Sequence, residues 1–150
     1  MTSFPTSRIG LNLTPATASW TVPFAAYYLF LQNRIVYQRL TTQTYMGDTI
    51  DASNGNEDPL YVCTRAQQNF NENIPLTLII AGLAELNGAD RKYINYFLGA
   101  MLAFRISHVE LGLMRPKSMG VGRIIGYYGT QASLLTMSAY LFYTVKDYFM

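Results

Sequence analysis

No charged residue stands between Ile9 and Asn33, and none between Ile124 and Val145. As a helix rising about 1.5 Å per residue, either stretch is long enough to cross a hydrocarbon core. A chain with two such segments must cover them with lipid or with protein, and that demand governs every other reading. Half of the residues are hydrophobic and 13% are charged, where a soluble domain carries roughly 25%, so the few charges are informative. A net charge of +2, scattered along the chain, provides no basic patch for nucleic acid. Cys63 is the only cysteine, which excludes an internal disulfide and a cysteine-based metal cluster and leaves it as a small inert residue. One histidine, His108, does not make a zinc site, so no metal is expected.

Helix breakers divide residues 1–150, read as a single domain, into four helical segments. The first is expected over about 15–40, with Pro15 and Pro23 near its start. No cleavable leader is expected before it, since Arg8 is the one charge in residues 2–20 and no short apolar core with a small-residue cleavage site follows, so this helix is expected to act as its own insertion signal. TTQTYMGDTIDASNGNEDP then reads as a solvated acidic loop without EF-hand spacing. A second helix over about 59–87 turns at NGAD into a third over about 90–113, and after MRPKSMGVG a fourth covers about 122–148. Helices 1 and 4 read as clean spans, whereas helices 2 and 3 are charge-free only from Asn73 to Ala84 and from Tyr93 to Phe104. The fold class is therefore all-α: an integral membrane four-helix bundle, up-down-up-down, with its longer loops on the cytoplasmic side by their excess of Lys and Arg.

The stretch RAQQNFNENIP, residues 65–75, sets polar groups directly against an apolar run. Arg65, Asn69 and Glu72 stand at i, i+4 and i+7, one above another on a helix face, and Arg105 and His108 do so at i and i+3 on helix 3. In antiparallel helices these groups share a depth, and Arg34 and Arg123 reach it too, with Tyr127 one turn beyond Arg123. Ionisable groups at that depth are costly unless they pair, line a watered cavity or bind a ligand. Glu72 is expected to neutralise Arg105 or Arg65, and the surplus of guanidinium suits a small anion bearing carboxylates. Such networks also staple bundles that bind nothing, and terminal arginines snorkel to headgroups, so spacing alone leaves these readings open. Gly122 and Gly126, at GxxxG spacing, point to close backbone approach by a neighbour, a second subunit being one candidate.

These residues together resemble the family of membrane-associated proteins in eicosanoid and glutathione metabolism, MAPEG. The resemblance covers about residues 20–145, and its most specific part is RAQQNFNENIP, similar to the family pattern R-A-x-x-N-x-x-E-x-x-P. Arg34 at the end of helix 1, the R-x-x-H of Arg105 and His108, and Arg123 followed by Tyr127 match in order and spacing. The loop and helix 3 text is closest to the microbial-type branch of microsomal glutathione transferase-like members.

The resemblance implies a homotrimer in membrane lipid, with glutathione as cosubstrate bound between neighbouring subunits on the cytoplasmic side. It makes Arg123 the residue that stabilises the glutathione thiolate, and Arg34, Arg65, Asn69, Glu72, Arg105, His108 and Tyr127 the residues that hold the peptide. Glutathione brings two carboxylates for arginines, an amine for an acid such as Glu72, and a thiol whose pKa a buried cation lowers. The implied activity is that of a glutathione transferase or peroxidase acting on lipophilic electrophiles. Three positions depart from family patterns: Ile124 replaces a serine, Gly112 a tyrosine that contacts glutathione, and Gln68 a basic residue. They support an alternative, a catalytically silent structural or interaction subunit of a larger membrane complex, and a small channel or transporter is a third reading. Insertion in the endoplasmic reticulum, a mitochondrial membrane or a bacterial inner membrane fits the sequence equally.

Overall fold

The computed structural model describes residues 13–148, apart from the side chain of Asn56, so Arg8 lies outside the described residues. Among these, four long helices form and no strand. α1 spans Pro15–Thr42, α2 Pro59–Leu86, α3 Arg91–His108 and α4 Val121–Val145. Proline opens α1 and α2, at a position where an N–H would find no carbonyl within the helix. Asp58 fixes both the start of α2 and the loop before it. Its Oδ1 accepts the N–H groups of Leu60 and Tyr61 at 3.0 Å, and its Oδ2 those of Ile50 and Asp51 at 2.8 Å.

Contacts at the helix ends set the direction of each helix. Glu85, in the last turn of α2, accepts the N–H groups of Ala16 and Thr17 at the start of α1, at 3.0 and 2.9 Å. Tyr140, late in α4, accepts the Asp90 N–H just before α3 at 2.9 Å, and Trp20 Nε1 on α1 donates to Asn95 on α3 at 2.9 Å. The starts of α1 and α3 therefore share one end of the bundle with the last turns of α2 and α4, an up-down-up-down arrangement.

The core runs as one stripe along each helix, with Phe24 and Leu31 on α1, Phe70 and Ile74 on α2, and Ile94, Leu98 and Met101 on α3 all buried. Arg105 and His108 follow Met101 at i+4 and i+7, so the rotation that buries Met101 also turns these two polar residues inward. The expected third helix does not run unbroken to Leu113. It closes at His108, and Val109–Leu113 form a wider π turn. The close approach foreseen at Gly122 and Gly126 is made to α3 of the same chain. A Cβ on Gly122 would stand 2.3 Å from the Ser107 carbonyl oxygen, and one on Gly126 2.3 Å from the His108 Cβ.

No helix among the described residues is long and apolar enough to cross a membrane, which corrects the reading of helices 1 and 4 as clean spans. Length is not the shortfall, with 28 residues in α1 and 25 in α4. Freedom from charge is not the same as apolarity: Thr, Ser, Gln and Tyr dilute both segments, and Gly dilutes α4 further. Large apolar side chains still face outward on both, with Val22, Leu29, Leu135 and Phe142 each more than half exposed.

Candidate functional site

The expected site residues, Arg34 apart, line two adjoining cavities toward the end of the bundle where α2 and α4 begin. Arg65, Asn69, His108, Arg123 and Tyr127 border the first, of about 460 Å³. Glu72 and Arg105 border the second, of about 290 Å³, which shares Asn69, His108 and Tyr127 with the first. The helical ladder of α2 forms one wall, and the inward stripe of α3 brings Arg105 and His108 to the other.

Arg123 lies in the first turn of α4, where its N–H donates to the Gly120 carbonyl at 3.0 Å and its Nη1 to the Ser118 carbonyl at 3.0 Å. His108 Nδ1 stands 3.1 Å from the Arg123 carbonyl oxygen. A carbonyl only accepts, so Nδ1 carries the proton in this bond and Nε2 is left as the acceptor of a neutral ring. The turn that delivers the Ser118 carbonyl holds Lys117 and Ser118 at φ of 57° and 54°, in the left-handed region that costs a non-glycine residue free energy.

Arg105 is 3% exposed. Its Nη1 donates to the Thr130 hydroxyl at 3.3 Å, while Nε and Nη2 have no hydrogen-bond partner among the described residues. Burying guanidinium donors without acceptors is costly, and a guest carrying a carboxylate would remove that cost. Glu72 makes no direct ion pair with Arg105 or Arg65, although its charge acts on Arg105 across the cavity: among the described residues the ion pairs are Arg34–Glu110 and Arg91–Glu85. Glu72 is exposed at the cavity edge, on the opposite wall from Arg105, and Arg65 instead donates to Gln68 at 2.9 Å.

Arg34 does not join these residues. Its Nη1 donates to Glu110 at 2.7 Å, its guanidinium lies 5.3 Å from the centre of the Phe30 ring, and the Tyr27 hydroxyl donates to the same Glu110 oxygen at 3.1 Å. Spacing along a helix sets depth, but the rotation of α1 points Arg34 to another side of the bundle. There it borders a third cavity, of about 750 Å³, with Cys63, Arg115 and Lys117. Val62, Leu113 and Ser118 form the wall between this cavity and that of Arg123. Although larger, it is the weaker anion site, because Arg34 is already paired and Arg115 and Lys117 are exposed at its rim.

Asn73, Thr130 and Gln131 also line the Arg105 cavity. Two of them carried a readable signal, Asn73 lying one turn beyond Asn69 and Gln131 one turn beyond Tyr127.

An up-down-up-down bundle with Arg105 and His108 buried, and with Glu72, Arg123 and Tyr127 exposed at the mouths of open cavities, defines a helical-bundle protein with a polar cavity system at one end. The chain belongs to the MAPEG family, whose model matches residues 17–143, from the first turn of α1 to the last turn of α4. No curated protein and no solved structure matches the chain.

Proposed function

We propose that the protein is a membrane-bound glutathione transferase or peroxidase-like protein that holds the glutathione thiolate beside Arg123 for attack on lipophilic electrophiles. One observation carries the reading. Arg65, Arg105 and Arg123 border two adjoining open cavities, and two donors of the buried Arg105 are still unmet. Cavities of this size are typical of small-molecule sites. Arg65 and Arg105 would take the carboxylates, Glu72 the amine, and Asn69, His108 and Tyr127 the peptide groups. A thiol beside Arg123 would lose its proton to solvent, and the sulfur lone pair would form the new bond to an electrophilic carbon as that carbon's π bond opens or its leaving group departs with the bonding pair, or to a peroxide oxygen as the O–O bond breaks and the alkoxide leaves, with no protein nucleophile required. Lowering the thiol pKa by two units needs a preference for the anion of about 2.7 kcal/mol, within the reach of one guanidinium.

Arg34 faces the other side of the Val62–Leu113–Ser118 wall, so a site that uses it together with Arg123 takes the two residues from different copies. This supports the homotrimer. Membership of the family and the outward apolar side chains of α1 and α4 support a setting in membrane lipid. The alternative of a silent structural subunit calls for a polar layer closed by salt bridges, and the unpaired Arg105 and the open cavities weigh against it.

The test is the ultraviolet difference absorbance of thiolate when glutathione is added to the detergent-purified protein, with Arg123→Ala alongside. A saturable signal that is lost in the variant is expected. A variant that keeps the signal overturns the role of Arg123, and an unmodified protein without one moves the weight to the structural subunit.

A further inference from the structure

Arg123 can act on a thiol only if its backbone is held at one point of the cavity wall, and the residue facing that backbone has no side chain. A Cβ on Gly112 would stand 2.6 Å from the Arg123 backbone nitrogen, 2.8 Å from its Cα and 3.0 Å from its Cβ. The first turn of a helix cannot step aside as the tip of a flexible side chain does. The same junction is tied twice more. The Gly120 N–H donates to the Gly112 carbonyl at 3.3 Å, and the Arg123 N–H donates to the Gly120 carbonyl at 3.0 Å.

We propose that Gly112 is a positioning residue for Arg123, an inference that rests on the thiolate role given to Arg123 above. The family resemblance makes this glycine the loss of a tyrosine contact to glutathione. In this chain the bare Cα instead lets the π turn Val109–Leu113 bear directly on the first turn of α4. That contact sets the height at which the guanidinium enters the cavity, and it keeps the Arg123 carbonyl 3.1 Å from His108 Nδ1. Any side chain at 112, tyrosine included, displaces Arg123 before it can reach a ligand.

The test uses the full chain in detergent as Gly112→Ala, with Gly82→Ala as the control, because a Cβ on Gly82 would meet only the Thr17 methyl, at 3.9 Å. His108 is the only histidine, so its ring nitrogens give an unambiguous NMR signal. Gly112→Ala is expected to move the His108 Nδ1 resonance and to raise the pH midpoint of the glutathione thiolate signal by about one unit, a tenfold loss of preference for the anion. Gly82→Ala should change neither. A folded Gly112→Ala protein with an unmoved His108 resonance overturns the proposal, and so does a moved resonance with an unmoved thiolate midpoint. If the unmodified protein shows no thiolate signal, the transferase reading fails and the His108 resonance still decides whether Gly112 seats Arg123. Should Gly112→Ala not fold, an NOE between a Gly112 Hα and the Arg123 N–H in the unmodified chain reads the same contact, and its absence overturns the proposal.

Discussion

Arg34 Nη1 lies 2.7 Å from Glu110 Oε1, a contact that ties α1 to the π turn following α3. The two side chains are 28% and 33% exposed, so solvent screens the pair only in part. Its net contribution belongs at the upper end of the range for accessible pairs, about 1 kcal/mol. A double-mutant cycle of Arg34→Met and Glu110→Gln, read by unfolding in detergent, should return a coupling of that size. Coupling near zero would make the contact incidental to the fold.

Arg105 sets stability against binding. Replacing it with Met keeps much of the side-chain length and removes a buried cation with two unmet donors. The ligand-free protein should gain about 1–3 kcal/mol, seen as a rise of several degrees in Tm. Glutathione affinity, measured by calorimetry on the same samples, should fall at least tenfold, which corresponds to about 1.4 kcal/mol. An Arg105→Met protein that is less stable and binds normally would remove Arg105 from the site.

Depth along a helix was legible in this chain, and direction around it only where a stripe continued. The ladder of Arg65, Asn69 and Glu72 predicts one wall, and Arg105 and His108 extend the Ile94–Leu98–Met101 stripe, so their inward aim follows from period alone. Arg34 shares their depth but not their side. Its partner Glu110 is distant in sequence, and packing rather than spacing selects it. Glu85 carries no sequence signal for the same reason, since its donors, Ala16 and Thr17, are 69 and 68 residues away along the chain. Absence of charge overstates apolarity in α1 and α4, because hydroxyls and amides, and in α4 glycines, carry no charge yet lower hydropathy. Gly112 looked like a missing contact because only the approach of α4 shows what its empty side makes room for. Family membership was legible because four motifs kept their order and spacing, which helices preserve.

Acid should loosen the loop before α2. Burial pushes the Asp58 carboxyl up, but the N–H groups of Asp51, Tyr61, Ile50 and Leu60 outweigh burial and hold its pKa below the ordinary value. The Ser53 hydroxyl and N–H lower Asp51 in the same way. A pKa lowered by folding contributes stability that is complete above the unfolded-state value of about 3.9 and is lost as pH falls through the folded-state value. Unfolding midpoints should therefore hold steady through mild acid and drop below about pH 4. Asp58→Asn can keep the cap on Leu60 and Tyr61 but sets an NH2 against the N–H groups of Ile50 and Asp51, so it should cost about 1–3 kcal/mol at neutral pH and show a shallower acid drop. A variant as acid-sensitive as the unmodified protein would show that other groups govern the transition.

Glu85 offers a way to separate stability from binding. It is 7% exposed; its Oε1 accepts the Ala16 N–H, and its Oε2 accepts both the Thr17 N–H and the Thr17 hydroxyl, at 2.8–3.0 Å. A carboxylate at the N-terminus of α1 also meets the positive end of the helix dipole. Glu85→Ala leaves those donors without their acceptor and should cost about 2–3 kcal/mol. Glu85→Gln should fall between, because both carboxylate oxygens are in use and an amide can offer only one. Arg91 reaches Glu85 at 3.6 Å from an exposed position, so Arg91→Ala should change stability by less than about 1 kcal/mol. All three substitutions lie at the opposite end of the bundle from Arg123. At temperatures where each variant remains folded, glutathione affinity should match that of the unmodified protein. A loss of affinity in Glu85→Ala that tracks its loss of stability would mean that the two ends are coupled, and that the register of α1 against α2 reaches the cavities.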